Sequence, residues 1–348
     1  MDNFSIYFSS LHHIDIIENR IIIPDKTPDE IDYRDYLHDL IQSILKEDII
    51  RKYKEDSDST EVISNVKDSI KNQSNQEKNV LRIAQRLLIK ELNAQEKHKQ
   101  ITEIQKGSLI QSYFKYEGIN YYVIVKIEHS AFIDETDLRK HIGLPFKKKI
   151  LKICLFKLNN KNEIEDIIVS DSNASISQYW WQDFLELLKV KTDDYNTEIS
   201  YDAISNLISR KVKDKSPRDH MLLHNNLIGY YNTQSHFNID KLYETVFGDF
   251  VPLEPSIDIV KLKTEIIDIF QKKNIDTKFI IIKDKISARK IHKIFPVKHN
   301  IEISVKDYDP DIERDIIAVK DNDGQKYLKI KTDNDETYRI FSNQDKKQ

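Results

Sequence analysis

The stretch that decides the fold runs from Ser108 to Glu128 and reads SLIQSYFKYEGINYYVIVKIE. Two runs rich in Tyr, Phe, Ile and Val flank the segment Glu117-Gly118-Ile119, whose glycine suits a tight turn. β-Branched and aromatic residues are enriched in strands. The stretch therefore predicts a β-hairpin, with strands over 108–116 and 120–128.

Other elements are predicted on both sides of this hairpin. Upstream, Thr27 and Pro28 form a helix start, and apolar residues follow at helical spacing. Two more helices are predicted around 62–70 and 81–92. Downstream, a second strand pair is predicted over 149–157 and 164–170. Five more helices are predicted further along the chain. The first has an apolar face of Tyr179, Trp180, Phe184, Leu187 and Leu188, and the second lies around 203–212. The third begins at Ser216-Pro217-Arg218-Asp219, and the last two span 238–247 and 259–273.

Strands and helices come in blocks rather than in strict alternation, which predicts an α+β fold. We expect mixed helices and an antiparallel sheet in an N-terminal domain over 1–195. A helical region over 196–275 follows, and then a basic, β-rich region over 276–348. In this last region, Asp321-Asn322-Asp323-Gly324 predicts a hairpin turn between strands over 316–320 and 327–331.

The composition limits the classes of protein to which this chain can belong. The single cysteine, Cys154, excludes a disulfide framework and lies in an apolar run, where a buried residue is expected and a catalytic thiol is the alternative. The N-terminus does not resemble a signal peptide, and no apolar run is long enough to span a bilayer. We therefore expect a cytoplasmic protein with no membrane partner.

Common catalytic motifs are absent from the sequence. It has no phosphate-binding glycine loop, no nucleophile elbow and no Glu-x-Lys of the two-carboxylate nucleases. His220 and His224 are spaced to share one metal ion, but Met221 stands where a zinc protease has its glutamate, and no third ligand is indicated. The prediction is a protein that is not an enzyme, with no cofactor and no metal.

Basic residues are concentrated in three clusters, although the formal net charge is −4. Seven lysines and arginines lie between Lys278 and Lys298, against the single acid Asp284. Clustered cations point to a polyanion such as nucleic acid, and a solvated surface is the alternative for each cluster. The candidate nucleic-acid-binding residues are Lys147, Lys148, Lys149, Arg210, Lys211, Lys213, Lys283, Lys285, Arg289, Lys290 and Lys293.

The two tryptophans are adjacent. Trp180 is predicted to pack against Phe184 and Leu188 on one helical stripe. Trp181 lies off that stripe, so it either packs elsewhere or reaches a partner or a nucleic-acid base.

The order of these segments resembles the bacterial nucleoid-associated proteins of the NdpA type, the 37-kDa nucleoid-associated protein family. The resemblance rests on the hairpin over 108–128, the segment from Asp171 to Leu185, the helix around 208–212, and the basic tail from Lys278 through its closing hairpin. It covers most of the chain and is weakest across 50–105. The resemblance implies sequence-tolerant DNA binding in the nucleoid, and the family supplies no catalytic residue to carry over.

The sequence thus predicts a non-catalytic protein that binds double-stranded DNA largely without sequence preference, and a homodimer is compatible with it. Two alternatives stay open. One is a nucleic-acid-sensing component of a bacterial anti-phage defence system, and the other is a metal-dependent nuclease with an unrecognised site.

The basic tail generates a first testable prediction. Replacing Arg289, Lys290 and Lys293 together with alanine removes up to three phosphate contacts, each of which releases condensed counterions. The slope of log K against log salt for duplex binding should fall by roughly 0.9 for each phosphate that is no longer neutralised. The substitution Asn159→Ala in a polar loop is the control, and an unchanged slope in the triple variant would mean that this tail is a solvated surface.

Overall fold

The computed structural model describes residues 4–24, 31–46, 51–57, 59–97, 107–133, 135–136, 138–146, 151–173, 175–286, 293–306, 309 and 311–342. It confirms the α+β prediction, with an antiparallel sheet first, helices in the middle and strands again near the C-terminus. Within these residues, no helix combines the length and the apolar character needed to cross a bilayer.

The strands are β1 (Phe4–Asp15), β2 (Arg20–Ile22), β3 (Lys52–Glu55), β4 (Gly107–Tyr116), β5 (Ile119–Glu128), β6 (Ser130–Ile133), β7 (Lys140–Gly143), β8 (Leu151–Leu158), β9 (Ile164–Asp171), β10 (Leu187–Lys189), β11 (His236–Asn238), β12 (Lys278–Ile280), β13 (Lys293–Lys298), β14 (Ile301–Val305), β15 (Ile316–Lys320) and β16 (Lys326–Ile330). The α-helices are α1 (Ile31–Lys46), α2 (Glu61–Lys71), α3 (Gln76–Lys97), α4 (Asp193–Val212), α5 (Pro217–Thr233), α6 (Ile239–Phe247), α7 (Ile259–Lys273), α8 (Ile312–Asp315) and α9 (Asp335–Phe341).

The main sheet is antiparallel, with strand order β10-β3-β9-β8-β5-β4-β1-β2. The predicted central hairpin is confirmed as β4 and β5, and Tyr116 pairs with Ile119 across its turn. Both turn residues, Glu117 and Gly118, have positive φ, at 47° and 84°. A two-residue turn of this kind matches the twist of the strands and needs a residue such as glycine. The second predicted pair is confirmed as β8 and β9.

Both faces of this sheet are covered. Tyr122 and Ile124 of β5 point to the face packed against α2 and α3, whereas Val123 and Val125 point to the face packed against α1. A strand buried on both faces reads as a continuous apolar run, as this one does. Cys154 on β8 is fully buried on the first face, and burial raises the pKa of its thiol well above the ordinary value.

A separate core joins the four helices α4 to α7 with β11 and β12. The predicted cap at the start of α5 is confirmed, because the Ser216 hydroxyl accepts a hydrogen bond from the Asp219 amide. The carboxylate of Asp219 in turn accepts from the amides of Leu253 and Glu254, and so fixes the loop that leads to α7. The last predicted helix, over 259–273, has the bounds of α7.

One packing prediction is partly wrong. Trp180 and Phe184 are fully buried, with ring centroids 4.9 Å apart, as expected. Leu188 does not join them, because the π-helical turn Tyr179–Phe184 ends and the chain becomes β10. Leu188 is 41 % exposed on that edge strand. Only the first turn of the apolar stripe is therefore helical.

A buried ion pair joins the sheet to the helical core. The guanidinium of Arg51, next to β3, donates to Asp193 at the start of α4, with Nη2 and Oδ1 2.6 Å apart. The other oxygen of Asp193 accepts from Lys189 Nζ at 2.7 Å, and the Ile280 amide of β12 also donates to this carboxylate. A second carboxylate, that of Asp276, lies 3.8 Å from Nε of Arg51. One carboxylate thus ties together β3, β10, α4 and β12.

The pKa values of the two carboxylates beside Arg51 are shifted in opposite directions. Burial alone would raise the pKa of Asp193, but the hydrogen bonds and charges of Lys189 and Arg51 hold that pKa below its ordinary value. For Asp276, burial dominates and raises the pKa. Asp193 is therefore the carboxylate that stabilises the junction in its charged form.

Asp193→Asn should lower the free energy of unfolding by about 3 kcal/mol at neutral pH, because it removes the hydrogen-bonded charge partner of the buried Arg51 and leaves only Asp276, 3.8 Å from Nε. The folded pKa of Asp193 is depressed, so its stabilisation is present above the unfolded pKa and is lost as the pH falls through the folded pKa. Urea denaturation at neutral and acidic pH measures both effects.

The matched control is Asp194→Asn, which breaks a half-exposed pair with Lys285 and should cost less than about 1 kcal/mol. Equal losses of stability in the two variants, or a loss at Asp193 that does not shrink in acid, would contradict this account of the junction.

Candidate nucleic-acid interface

The predicted basic residues Arg210, Lys211 and Lys213 lie in the last turn of α4 and just beyond it. Lys211 pairs with Glu265 on α7, with Nζ and Oε1 2.7 Å apart. That hydrogen bond, together with the positive charges of Lys211, Lys261 and Arg210, lowers the pKa of Glu265. One carboxylate is thus surrounded by three cations, which leaves this end of α4 positively charged.

The predicted residues Lys283 and Lys285 lie at the opposite end of the same helix. Lys285 pairs with Asp194 in the first turn of α4, at 3.1 Å. Lys283 donates to the backbone carbonyl of Asn232, at the end of α5. Asp194 and Arg210 are 16 residues apart, which is about 24 Å along the helix and about 160° around it. The structure therefore does not bring these two clusters onto one surface.

The other predicted residues are only partly described. Lys147, Lys148, Lys149, Arg289 and Lys290 lie outside the described residues. Lys293 begins β13, and its side chain also lies outside the described part. Lys278, the first residue of the basic stretch, is buried, and its Nζ donates to the carbonyl oxygen of Asp171 at 2.8 Å. Lys278 is therefore a structural cation rather than a surface one.

The basic stretch continues into a two-stranded antiparallel ribbon, which we call the Lys298 ribbon (β13 and β14, residues 293–305). Phe295 pairs with Ile303, and both are half-buried. A bulge at Val297 interrupts the register, since Pro296 pairs with Glu302 and Lys298 pairs with Ile301. Bulges twist a ribbon and redirect its side chains, so this one changes the direction of the end of the ribbon.

The tip of the Lys298 ribbon is exposed and cationic. Lys298 ends β13, His299 and Asn300 form the turn, and all three are exposed. Pro296 and Val297 precede them, and Val297 and Ile301 expose 39 % and 55 % of their surface. The tip thus combines a positive charge and an imidazole with partly exposed apolar side chains.

A second ribbon, the Tyr327 ribbon (β15 and β16, residues 316–330), has carboxylates as well as lysines at its tip, where Lys320 pairs with Lys326. Its turn contains Asp321 and Asp323, and the Asp321 side chain accepts hydrogen bonds from the turn amides. Near its base, Glu313 pairs with Arg218 of α5 at 3.1 Å. Carboxylates at the tip would be repelled by phosphates, so of these two ribbons the Lys298 ribbon has the tip suited to a polyanion.

Lys298 belongs to the predicted basic stretch, but neither it nor His299 nor Pro296 was among the predicted contact residues. They could have been predicted from the polar run Lys298-His299-Asn300, which separates two β-rich runs. Trp181 is half-buried, and Lys189 lies over its ring at 5.3 Å from the centroid. Trp181 lines a cavity that includes Lys278 and none of the predicted contact residues.

The two histidines that could have shared a metal ion share a hydroxyl instead. Nε2 of His220 and Nε2 of His224 each lie 3.0 Å from Ser209 Oγ. Across the part of the chain that the structure describes, no group of three His, Cys, Asp or Glu side chains is placed to hold a metal ion.

Comparison with protein-family models and with curated proteins finds no match to this chain.

Proposed function

We propose that this chain is a non-catalytic, nucleoid-associated protein that binds double-stranded DNA largely without sequence preference. The observation that carries the proposal is the exposed, cationic tip of the Lys298 ribbon. It follows directly on the basic segment predicted from the sequence to bind nucleic acid. The resemblance to nucleoid-associated proteins supports the same interpretation.

The shape of the Lys298 ribbon suits a DNA groove. Paired strands lie about 4.8 Å apart. The major groove is about 12 Å wide and admits a two-stranded ribbon. Lys298 and His299 would meet phosphates first, and Lys306 at the base of the ribbon is also exposed. Against these cations, the described ribbon has one acid, Glu302.

The chemistry of the tip favours binding without sequence choice. The side chains of Pro296, Val297 and Ile301 cannot hydrogen-bond to base edges, so they read shape rather than sequence. Affinity would then come mainly from phosphate contacts, which are the same for every sequence.

The other predicted cations contribute less under this proposal. Lys211 and Lys285 are each already paired with a carboxylate, Glu265 and Asp194. Arg210 and Lys213 at the end of α4 are exposed and could contact a second stretch of backbone. The predicted homodimer, in which two such ribbons would act together, stays a prediction.

The test compares two double variants by the salt dependence of duplex binding. Lys298→Ala with Lys306→Ala should reduce the slope of log K against log salt by about 1.8, because two phosphates are no longer neutralised. The reduction should be the same for duplexes of unrelated sequence. Fluorescence anisotropy over a series of salt concentrations measures the slope.

The matched control removes the same number of lysines from the Tyr327 ribbon, as Lys326→Ala with Lys329→Ala; both residues are exposed. This variant should keep the wild-type slope. If the slope of log K against log salt falls in the control and stays at the wild-type value in the Lys298 variant, the proposal has placed DNA on the wrong ribbon. It is wrong altogether if the wild-type protein does not bind duplex at low salt.

A further inference from the structure

A cavity of about 380 Å³ lies where β3, β10, β12 and the π-helical turn meet. Among the described residues, three cationic side chains line it and no carboxylate does. Its polar and aromatic lining includes Arg51, Tyr53, Gln178, Trp181, Lys189 and Lys278. The cavity volume falls in the range of small-molecule sites, which is about 300–1,000 Å³.

The cations are fixed in place but retain unused donors. Lys189 uses one hydrogen bond on Asp193, and an ammonium group has three donors. The Arg51 side chain is 5 % exposed. Its Nε is buried and has no hydrogen-bond partner among the described residues. Nη1 of Arg51 donates to the Lys278 carbonyl, and Nε lies 3.8 Å from Asp276. The carboxylate of Asp193 therefore holds two cations that line the cavity, without lining it itself.

The aromatic residues add a planar apolar wall. The rings of Tyr53 and Trp181 are in contact, with centroids 5.5 Å apart. Tyr53 is 3 % exposed, and its hydroxyl has no hydrogen-bond partner within the described chain. A buried, unpartnered hydroxyl costs free energy unless a ligand or water satisfies it. The Tyr53 hydroxyl is thus a buried donor in the lining that a ligand could use.

We propose that this cavity binds a nucleoside monophosphate. The phosphate would lie on Lys189 and Arg51, which supply charge-assisted donors. The base would lie beside Trp181, since Lys189 Nζ is only 5.3 Å from the centre of the indole ring. The nucleotide is either free or the terminal nucleotide of a strand, because both present the same base, sugar and phosphate.

This site is independent of the Lys298 ribbon. Its residues come from β3, β10, β12, the π-helical turn and the segments just before β3 and that turn, and none belongs to 293–305. The Lys298 variant used above therefore leaves the cavity unchanged. Duplex binding and nucleotide binding can fail separately, and the two proposals can be distinguished.

Intrinsic fluorescence provides the assay, with adenosine 5′-monophosphate as the probe. Trp180 is fully buried and should be unaffected, whereas Trp181 lines the cavity and should be quenched in a saturable way. Inorganic phosphate and adenosine alone should each bind at least about tenfold more weakly, because each lacks half of the contacts. Trp181→Phe should abolish the quenching, and calorimetry should still detect binding.

Lys189→Gln should weaken binding by about tenfold or more, the usual cost of losing a hydrogen bond to a charged group. The matched control is Lys191→Gln, whose Nζ instead donates to the Lys273 carbonyl, outside the cavity lining. Thermal melting of both variants checks that they fold. Gln178→Ala is a second variant, and it should fold normally because Gln178 is an exposed residue of the lining.

A 5′-phosphorylated trinucleotide separates the two sources of the ligand. If the trinucleotide displaces the bound mononucleotide, the cavity accepts the end of a strand. If it does not, the cavity binds free nucleotides. The proposal is overturned if adenosine, guanosine, cytidine and uridine monophosphates all fail to bind at millimolar concentration. It is also overturned if binding persists unchanged in Lys189→Gln, Trp181→Phe and Gln178→Ala.

Discussion

The ion pair between Arg51 and Asp193 is the interaction on which the two halves of the molecule depend. Asp193 begins α4, so its carboxylate stands at the positive end of the helix dipole as well as beside the guanidinium. The same carboxylate holds Lys189 on β10 and the Ile280 amide on β12. A buried charge is tolerated only when it is paired, so these elements must meet in one arrangement.

Two further buried ion pairs lie in the sheet beyond this junction. Lys152 of β8 pairs with Asp171 at the end of β9, with Nζ and Oδ2 2.8 Å apart. The backbone carbonyl of Asp171 then accepts from Lys278 of β12. Lys126 of β5 pairs in the same way with Glu91 of α3. The charges in the interior of the N-terminal half are thus used to orient elements, and the cavity at the junction follows from that orientation.

Local features of the sequence predicted most of the elements. The Gly118 turn, the Ser216 cap and the bounds of α7 follow from residues within a few positions of each other. The prediction for Leu188 was wrong because apolar spacing alone does not show where a helix ends and an edge strand begins. The strand order was not predictable either, because β3 reaches β9 across more than 100 residues.

The candidate sites were predictable to different degrees. The cationic character of the C-terminal segment is visible in its composition, but the charge at each ribbon tip depends on which residues form the turns. Lys298 lies at one tip and Asp321 at the other. The cavity left no local signal, because Arg51, Lys189 and Lys278 come from three distant segments and meet only in the folded chain.

Site-specific photocrosslinking tests the central claim, that the Lys298 ribbon contacts DNA, most directly. A photoreactive residue would replace Val297 at the bulge, and a matched protein would carry it at Tyr327, which is also exposed. The account predicts crosslinks from position 297 to duplexes of unrelated sequence, and few or none from position 327. Crosslinks from position 327 with none from position 297, in a protein that binds the duplex, would contradict it.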